Sequence, residues 1–188
     1  RFHLQKDNPF TDRFWGRIDL KAGAALYYFS KGGRTQQLIH HLKYSGKKEI
    51  GLKLGQLYGK MLLESPYFKG IDVIIPVPLH PRKQKKRGYN QSDWFAKGLS
   101  ESMNCPWYAH GLQRIHMANS QTQKSRLERL VNVSQAFEVK NRALLEGKHI
   151  LLVDDVLTTG ATLEACSEKI LQIPQTQLSL ATIAITIT

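Results

Sequence analysis

Only two cysteines occur in the 188 residues, Cys105 and Cys166, far apart and with no CxxC pair. That argues against a disulfide framework or a four-cysteine zinc site within this chain. Cys166 instead falls on the apolar stripe of a helical pattern, where a thiol is a small core residue. No apolar run approaches the ~20 residues that a membrane span needs, and no secretory signal pattern stands at the N-terminus. The sequence opens on Arg1 rather than Met, so it is expected to begin inside a longer product. No internal repeat or low-complexity tract is present. Seven histidines are scattered; His40 and His41 are adjacent and so project to different helix faces, which is poor ligand spacing for a metal. Acidic residues are scarce in one region in particular. Residues 31–90 carry 13 Lys or Arg against Glu49, Glu64 and Asp72, most of the chain's net charge of +12. Residues 131–170 carry four basic and six acidic residues. A basic face set apart from an acidic pocket suggests a polyanionic partner besides a small ligand, although a lysine-rich solvated surface would look the same.

The most informative segment is 147–170, GKHILLVDDVLTTGATLEACSEKI. Ile150, Leu151, Leu152 and Val153 form a short unbroken apolar run, expected of a strand buried on both faces of a parallel sheet. Asp154 and Asp155 stand at its end. A turn rich in hydroxyls follows, with Gly160 free to take positive φ. Leu163, Cys166 and Ile170 then recur at helical spacing. A helix start offers unpaired N–H groups and the positive end of a dipole to a phosphate, and Thr158, Thr159 and Thr162 add hydroxyl donors. Two carboxylates are wrong for phosphate but right for the vicinal hydroxyls of a ribose. The segment therefore suits both ends of a ribose 5-phosphate. A Walker B strand would need GxxxxGKS or GxxxxGKT, which occurs nowhere. A response-regulator acidic pocket would not require the TTGAT turn, and a plain capped helix would not explain two acids before it.

Along the rest of the chain, residues 24–29 read as a short strand. Leu38, Ile39 and Leu42 give a helical stripe ending near Ser45 and Gly46. A second helix, about 49–64, has Ile50, Leu54, Leu57, Met61 and Leu62 on its apolar side and ends at Ser65-Pro66. Residues 71–77 form another apolar β run. Arg82, Lys83, Lys85, Lys86 and Arg87 place five cations in six positions, so a mobile basic loop is expected there, before a helix over about 92–103 capped by Asn90 or Ser92. Residues 105–109 read as a weak strand, 112–125 as a long polar loop, 126–133 as a helix, 136–139 as a short strand and 177–188 as a final strand. Strands near 71, 107, 137, 150 and 180 separated by helices predict an α/β fold with a doubly wound, mainly parallel sheet. In such sheets ligands sit at the carboxyl ends of strands, where 76–91 and 154–162 fall.

The segment around Asp154 resembles the phosphoribosyl pyrophosphate (PRPP) motif of type I phosphoribosyltransferases. Together with DVIIPVPLHPRKQKKRGYNQS, LQRIHMANSQTQKSRLERLVNVSQAF and the upstream LIHHLKYSGKKEIGLKLG, the chain is identified as a member of the ComF family of competence-associated phosphoribosyltransferase-like proteins. The PVPLHP…RGYNQ string is the discriminating element. The resemblance implies a type I phosphoribosyltransferase core over 66–188 beneath an N-terminal helical hood, 1–65. It implies that Asp154 and Asp155 bind ribose hydroxyls and that Thr158, Thr159, Gly160, Ala161 and Thr162 hold the 5-phosphate. Val77, Pro78, Leu79 and His80 match the pyrophosphate loop, and 117–123 the flexible loop over the reacting centre, with Arg126 behind it. Mg²⁺ would arrive with PRPP, with no metal held by protein ligands alone. Family members often begin with a four-cysteine zinc ribbon; it is missing here, so zinc is not carried over. Two readings follow. One is a PRPP- or ribose 5-phosphate-binding protein acting in natural transformation in the cytoplasm, its basic segment (Arg82, Lys83, Lys85, Lys86, Arg87) contacting single-stranded DNA or pyrophosphate and its partners including the competence machinery. The other is an active phosphoribosyltransferase with an unidentified base or amine acceptor.

Overall fold

The computed structural model describes residues 1–115 and 136–186. Its centre is a parallel sheet of four strands: β1 (Ala22–Phe29), β2 (Val73–Pro76), β5 (His149–Leu157) and β6 (Gln177–Thr186), in the order β1-β6-β5-β2. Three of the strands read as apolar runs because both faces are covered; β6 is buried at every position from Leu178 to Ile185. The chain leaves β2 through α3 (Pro81–Arg87) and α4 (Gln91–Met103). It then returns to the far side of β2, where Trp107 bridges Ile74 in parallel. β5 starts on the opposite side of β2, so the winding direction reverses between β2 and β5. That reversal opens a crevice at the carboxyl ends of the two strands.

The doubly wound parallel sheet is as expected, with differences in detail. The strand expected near 107 is a single bridge, held by the Ile74 amide on the Pro106 carbonyl and the Tyr108 amide on the Ile74 carbonyl, both at 2.9 Å. The short strand near 137 is not in the main sheet: β4 (Phe137–Val139) pairs antiparallel with β3 (Leu112–Arg114). So the stretch from 112 starts as a strand, not as a loop. The helix expected over 126–133, and with it Arg126 and the loop 117–123, lies outside the described residues. The N-terminal strand β1 extends the main sheet by pairing with β6 from Ala22 opposite Ser179 to Phe29 opposite Thr186.

The basic segment is helical rather than a loop. Pro81 starts α3 with its φ preset, the His80 ring nitrogen accepts from the Arg82 amide at 3.2 Å, and Gly88 closes the helix at φ 79°. Lys85, Lys86 and Arg87 fall in the last turn, where the helix dipole favours cations and offsets their mutual repulsion.

Two further helices, α1 (Arg34–Tyr44) and α2 (Glu49–Leu63), lie over this core. Their docking depends on glycine. α2 and α4 cross so closely that a Cβ on Gly55 would stand 2.3 Å from the Phe95 carbonyl, and one on Gly98 2.1 Å from that of Leu52. Either change would push the helices apart. The buried face of α2 is accordingly Gly51, Leu54, Gly55, Tyr58, Gly59 and Leu62, while Leu57, expected inside, is exposed. A hydrogen bond from the Tyr89 hydroxyl to the Leu42 carbonyl ties the end of α1 to the start of α4.

Candidate functional site

β5 outruns β2, and the site begins there. Pairing with β2 stops at Pro76 opposite Val153, where the Val77 amide donates to the Val153 carbonyl at 2.8 Å. Pairing with β6 continues through Asp154, Val156 and Leu157, so the strand extends past the acids instead of ending at them. Asp154 and Asp155 therefore stand where one neighbouring strand has departed and the other remains.

The two acids differ in surroundings. Asp154 Oδ1 accepts from Ser92 Oγ and from the Asp155 amide, both at 2.8 Å. Asp155 is buried; its Oδ2 accepts from Gln91 Nε2 at 2.8 Å and pairs with Lys43 Nζ at 2.8 Å. Burial, reinforced by the adjacent Asp155 charge, pushes the Asp154 carboxyl up to about 7, while Ser92, the Asp155 amide and Lys43 act in the other direction.

Beyond them the chain turns through Thr158, Thr159 and Gly160 into α5 (Ala161–Leu171). Gly160 precedes the helix at φ 86°, and a Cβ there would meet the Phe14 ring at 3.2 Å. Arg13 supports the turn from behind, donating to the carbonyls of Thr158 and Thr186 at 2.8 Å each. Arg17 pairs with Glu164 on the first turn of α5 at 2.7 Å. A small cavity of about 40 Å³ sits in this turn, lined by Asp154 and by residues 156–163. Backbone amides at a helix start with threonine hydroxyls suit an anion there.

A second cavity, about 160 Å³, lies across the acids. Val77, Pro78, Leu79 and His80 form one wall, and Asn90 Nδ2 holds that loop by donating to the Val77 carbonyl at 3.0 Å. Lys43, Lys83, Arg87 and Arg114 bring positive charge to it. Asp154 and Thr162 line both cavities, so the two are neighbours joined at the acids. The order along the crevice is helix-start cavity, carboxylates, cation-lined cavity.

Most residues anticipated from the sequence meet here: Asp154, Asp155, Thr162 and the loop 77–80 around one cavity, and Thr158, Thr159, Gly160 and Ala161 around the other. The basic segment divides. Lys83 and Arg87 line the larger cavity, whereas Arg82, Lys85 and Lys86 are exposed outside its lining. Sequence reading missed Lys43, Gln91 and Arg114, and took Ser92 only as a helix cap. Gln91 and Ser92 directly follow the RGYN string, which was the available signal. Among the described residues no group of three or more His, Cys, Asp or Glu is placed to hold a metal, and Asp155 is already paired with a lysine.

The phosphoribosyl transferase domain matches residues 84–184, more than half of the chain. The chain belongs to that family. Its relatives are of the ComF type: it is 36% identical over 100 residues, 53% of this chain and 38% of the relative, to competence protein ComFC of Bacillus subtilis, and 34% identical over 138 residues, 72% of this chain and 60% of the relative, to the DNA utilization protein YhgH of Escherichia coli O157:H7. It is 35% identical over 98 residues, 52% of this chain and 43% of the relative, to competence protein F of Haemophilus influenzae. The chain thus spans about 60% or less of the length of these curated relatives. Among solved structures, glutamine PRPP amidotransferase from B. subtilis superposes on 78% of this chain and 30% of its own, with a TM-score of 0.53 at 20% identity. That likeness concerns the phosphoribosyltransferase fold. No helix among the described residues is long and apolar enough to cross a membrane.

Proposed function

We propose that this ComF-type phosphoribosyltransferase domain binds Mg-PRPP. The ribose hydroxyls donate to Asp154 and Asp155, the 5-phosphate occupies the turn 158–162, and the pyrophosphate occupies the cavity beside 77–80, near Lys83, Arg87 and Arg114. The observation that carries this reading is the junction of two anion-suited cavities at Asp154 and Thr162. A ligand must have an anionic group at each end and hydroxyls between, and PRPP has that layout. Magnesium belongs to the ligand and neutralises its diphosphate. The experiment is a melting measurement with Mg-PRPP: at a hundredfold excess over the dissociation constant the expected gain is about 2.7 kcal/mol, a shift of roughly 5–11 °C for a chain of this size. No shift would reject the reading.

The proposed setting is the handling of single-stranded DNA in natural transformation, in the cytoplasm and with competence-machinery partners. It is supported by the names of the relatives and by the exposed cations Lys47, Lys48, Lys53, Lys60, Arg82, Lys85 and Lys86. About five phosphate contacts would give a slope near −3.5 in log affinity against log salt. Binding indifferent to salt would leave these lysines as solvated surface.

The raised Asp154 carboxyl favours a second reading, phosphoribosyl transfer. A carboxyl that titrates near neutral pH suits a general base. The C1–oxygen bond to pyrophosphate would break, a C1–nitrogen bond to the acceptor would form, and the acceptor's proton would pass to Asp154. A groove of about 580 Å³ that shares Pro78, Leu79, Asn90 and Arg114 with the ligand cavity leaves room for an acceptor beside Tyr89 and Trp94. Pyrophosphate release across a panel of nucleobases decides between the readings; binding without turnover is expected, and efficient base-specific release would establish the second.

A further inference from the structure

Resting on the PRPP reading, one contact has a role beyond holding the fold. Lys43 comes from the last turn of α1, more than a hundred residues from Asp155 in sequence, and its ammonium lies 2.8 Å from Asp155 Oδ2. That oxygen also accepts from Gln91 Nε2, and Gln91 is held at its other end, its Oε1 accepting from Arg87 Nη1 at 2.9 Å. Gln91 is thus fixed from two sides. Lys43 is held at its head by the ion pair alone among the described residues. Lys43 and Asp155 both line the 160 Å³ cavity in which Lys83, Arg87 and Arg114 gather.

We propose that Lys43 is a positioning residue that exchanges partners: it neutralises Asp155 in the empty site and turns to the pyrophosphate when the ribose hydroxyls take its place. A buried carboxylate left without a partner is strongly unfavourable, so an empty site needs a counter-ion. Ribose hydroxyls bring donors but no charge. They satisfy Asp155 together with Gln91, and the displaced ammonium then requires an anion. PRPP supplies one in the same cavity, while ribose 5-phosphate, which lacks the pyrophosphate, does not. A lysine fits this exchange, being a compact charge on a flexible four-carbon stem with rotatable donors. The backbone beside it is anchored by the Tyr89 hydroxyl on the Leu42 carbonyl, so the side chain moves and the helix stays. Lys43 thereby makes the site select the diphosphorylated sugar over the monophosphorylated one.

The test is calorimetric titration of Mg-PRPP and, separately, ribose 5-phosphate into the wild-type chain and into Lys43→Met and Lys43→Gln. Loss of one charge-assisted contact should weaken PRPP by about 10–100-fold and leave ribose 5-phosphate no weaker, or tighter, because it no longer has to break the Lys43–Asp155 pair. Melting without ligand reports the structural penalty in each variant, and Lys43→Gln retains a donor for Asp155 should Lys43→Met fail to fold. Equal weakening of both ligands overturns the exchange and makes Lys43 only a structural partner of Asp155. Unchanged PRPP affinity overturns it as well. A wild-type chain that binds neither ligand rejects the PRPP reading and this inference together.

Discussion

The two proposed anion seats of the crevice are built by different means. The seat at 158–162 is one contiguous piece of chain, in which strand, turn and helix start present backbone amides and hydroxyls whose positions follow from local geometry. The seat beside 77–80 draws its charge from Lys43 on α1, Lys83 and Arg87 on α3, and Arg114 at the end of β3. A local seat is set by backbone conformation, and it fails when that conformation is disturbed. An assembled seat depends on the docking of separate elements, and its charges can be removed one at a time without touching the backbone.

The division within α3 is the sharpest way to test the second description. Replacing Lys83 and Arg87 with Gln should weaken Mg-PRPP by about a hundredfold, two charge-assisted contacts' worth. Replacing Arg82, Lys85 and Lys86 should leave PRPP within about threefold, since these side chains lie outside the cavity lining. Equal effects from the two sets would mean that the helix acts as a diffuse field, not as specific contacts.

Next in size is the pH response of the empty protein. The Asp154 carboxyl is pushed from 3.8 up to about 7, so the folded chain retains a proton that the unfolded chain releases. Its contribution to stability is fully present below about pH 4 and is lost as pH rises through about 7. Urea unfolding of the wild type should thus show this group's stability falling across that window, and Asp154→Asn should remove most of that fall. Superimposable pH profiles for the two proteins would contradict the placement of Asp154.

The smallest effect probes the local seat. Gly160→Ala puts a Cβ at φ 86° and 3.2 Å from the Phe14 ring, costing about 1 kcal/mol of stability. Ribose 5-phosphate binding should weaken with it, because the amides proposed to face the phosphate follow Gly160 directly. An alanine variant with wild-type stability and affinity would show that the turn is less constrained than described.

How much of this could be read from the sequence follows the same contrast. The DDVLTTGAT segment was legible because its chemistry lies within one strand, one turn and one helix start. Lys43 was not legible: in the sequence it is one of 13 Lys or Arg between residues 31 and 90. It reaches Asp155 only in the folded chain, from the end of α1 that the Tyr89 hydroxyl anchors at the Leu42 carbonyl. β1 was recognisable as a strand, but its partner β6 lies some 150 residues onward and no local signal names it. The α3 segment was misread although its signals were present. Pro81, His80 and Gly88 are start and stop residues for a helix, and the expected repulsion among five cations obscured them. Leu57 was placed inside by an apolar stripe that the glycine face of α2 overrode. The division between a hood, 1–65, and a core remains a proposal, with β1 now seen as a strand of the central sheet.

The central claim is that Asp154 and Asp155 seat a sugar between two anion sites. It is tested most directly by titrating Mg-PRPP into the wild-type chain and into the double variant Asp154→Asn, Asp155→Asn. The account predicts one PRPP per chain for the wild type and no measurable binding to a double variant that still melts cooperatively. Retained affinity in a folded double variant would contradict it and move the ribose site elsewhere.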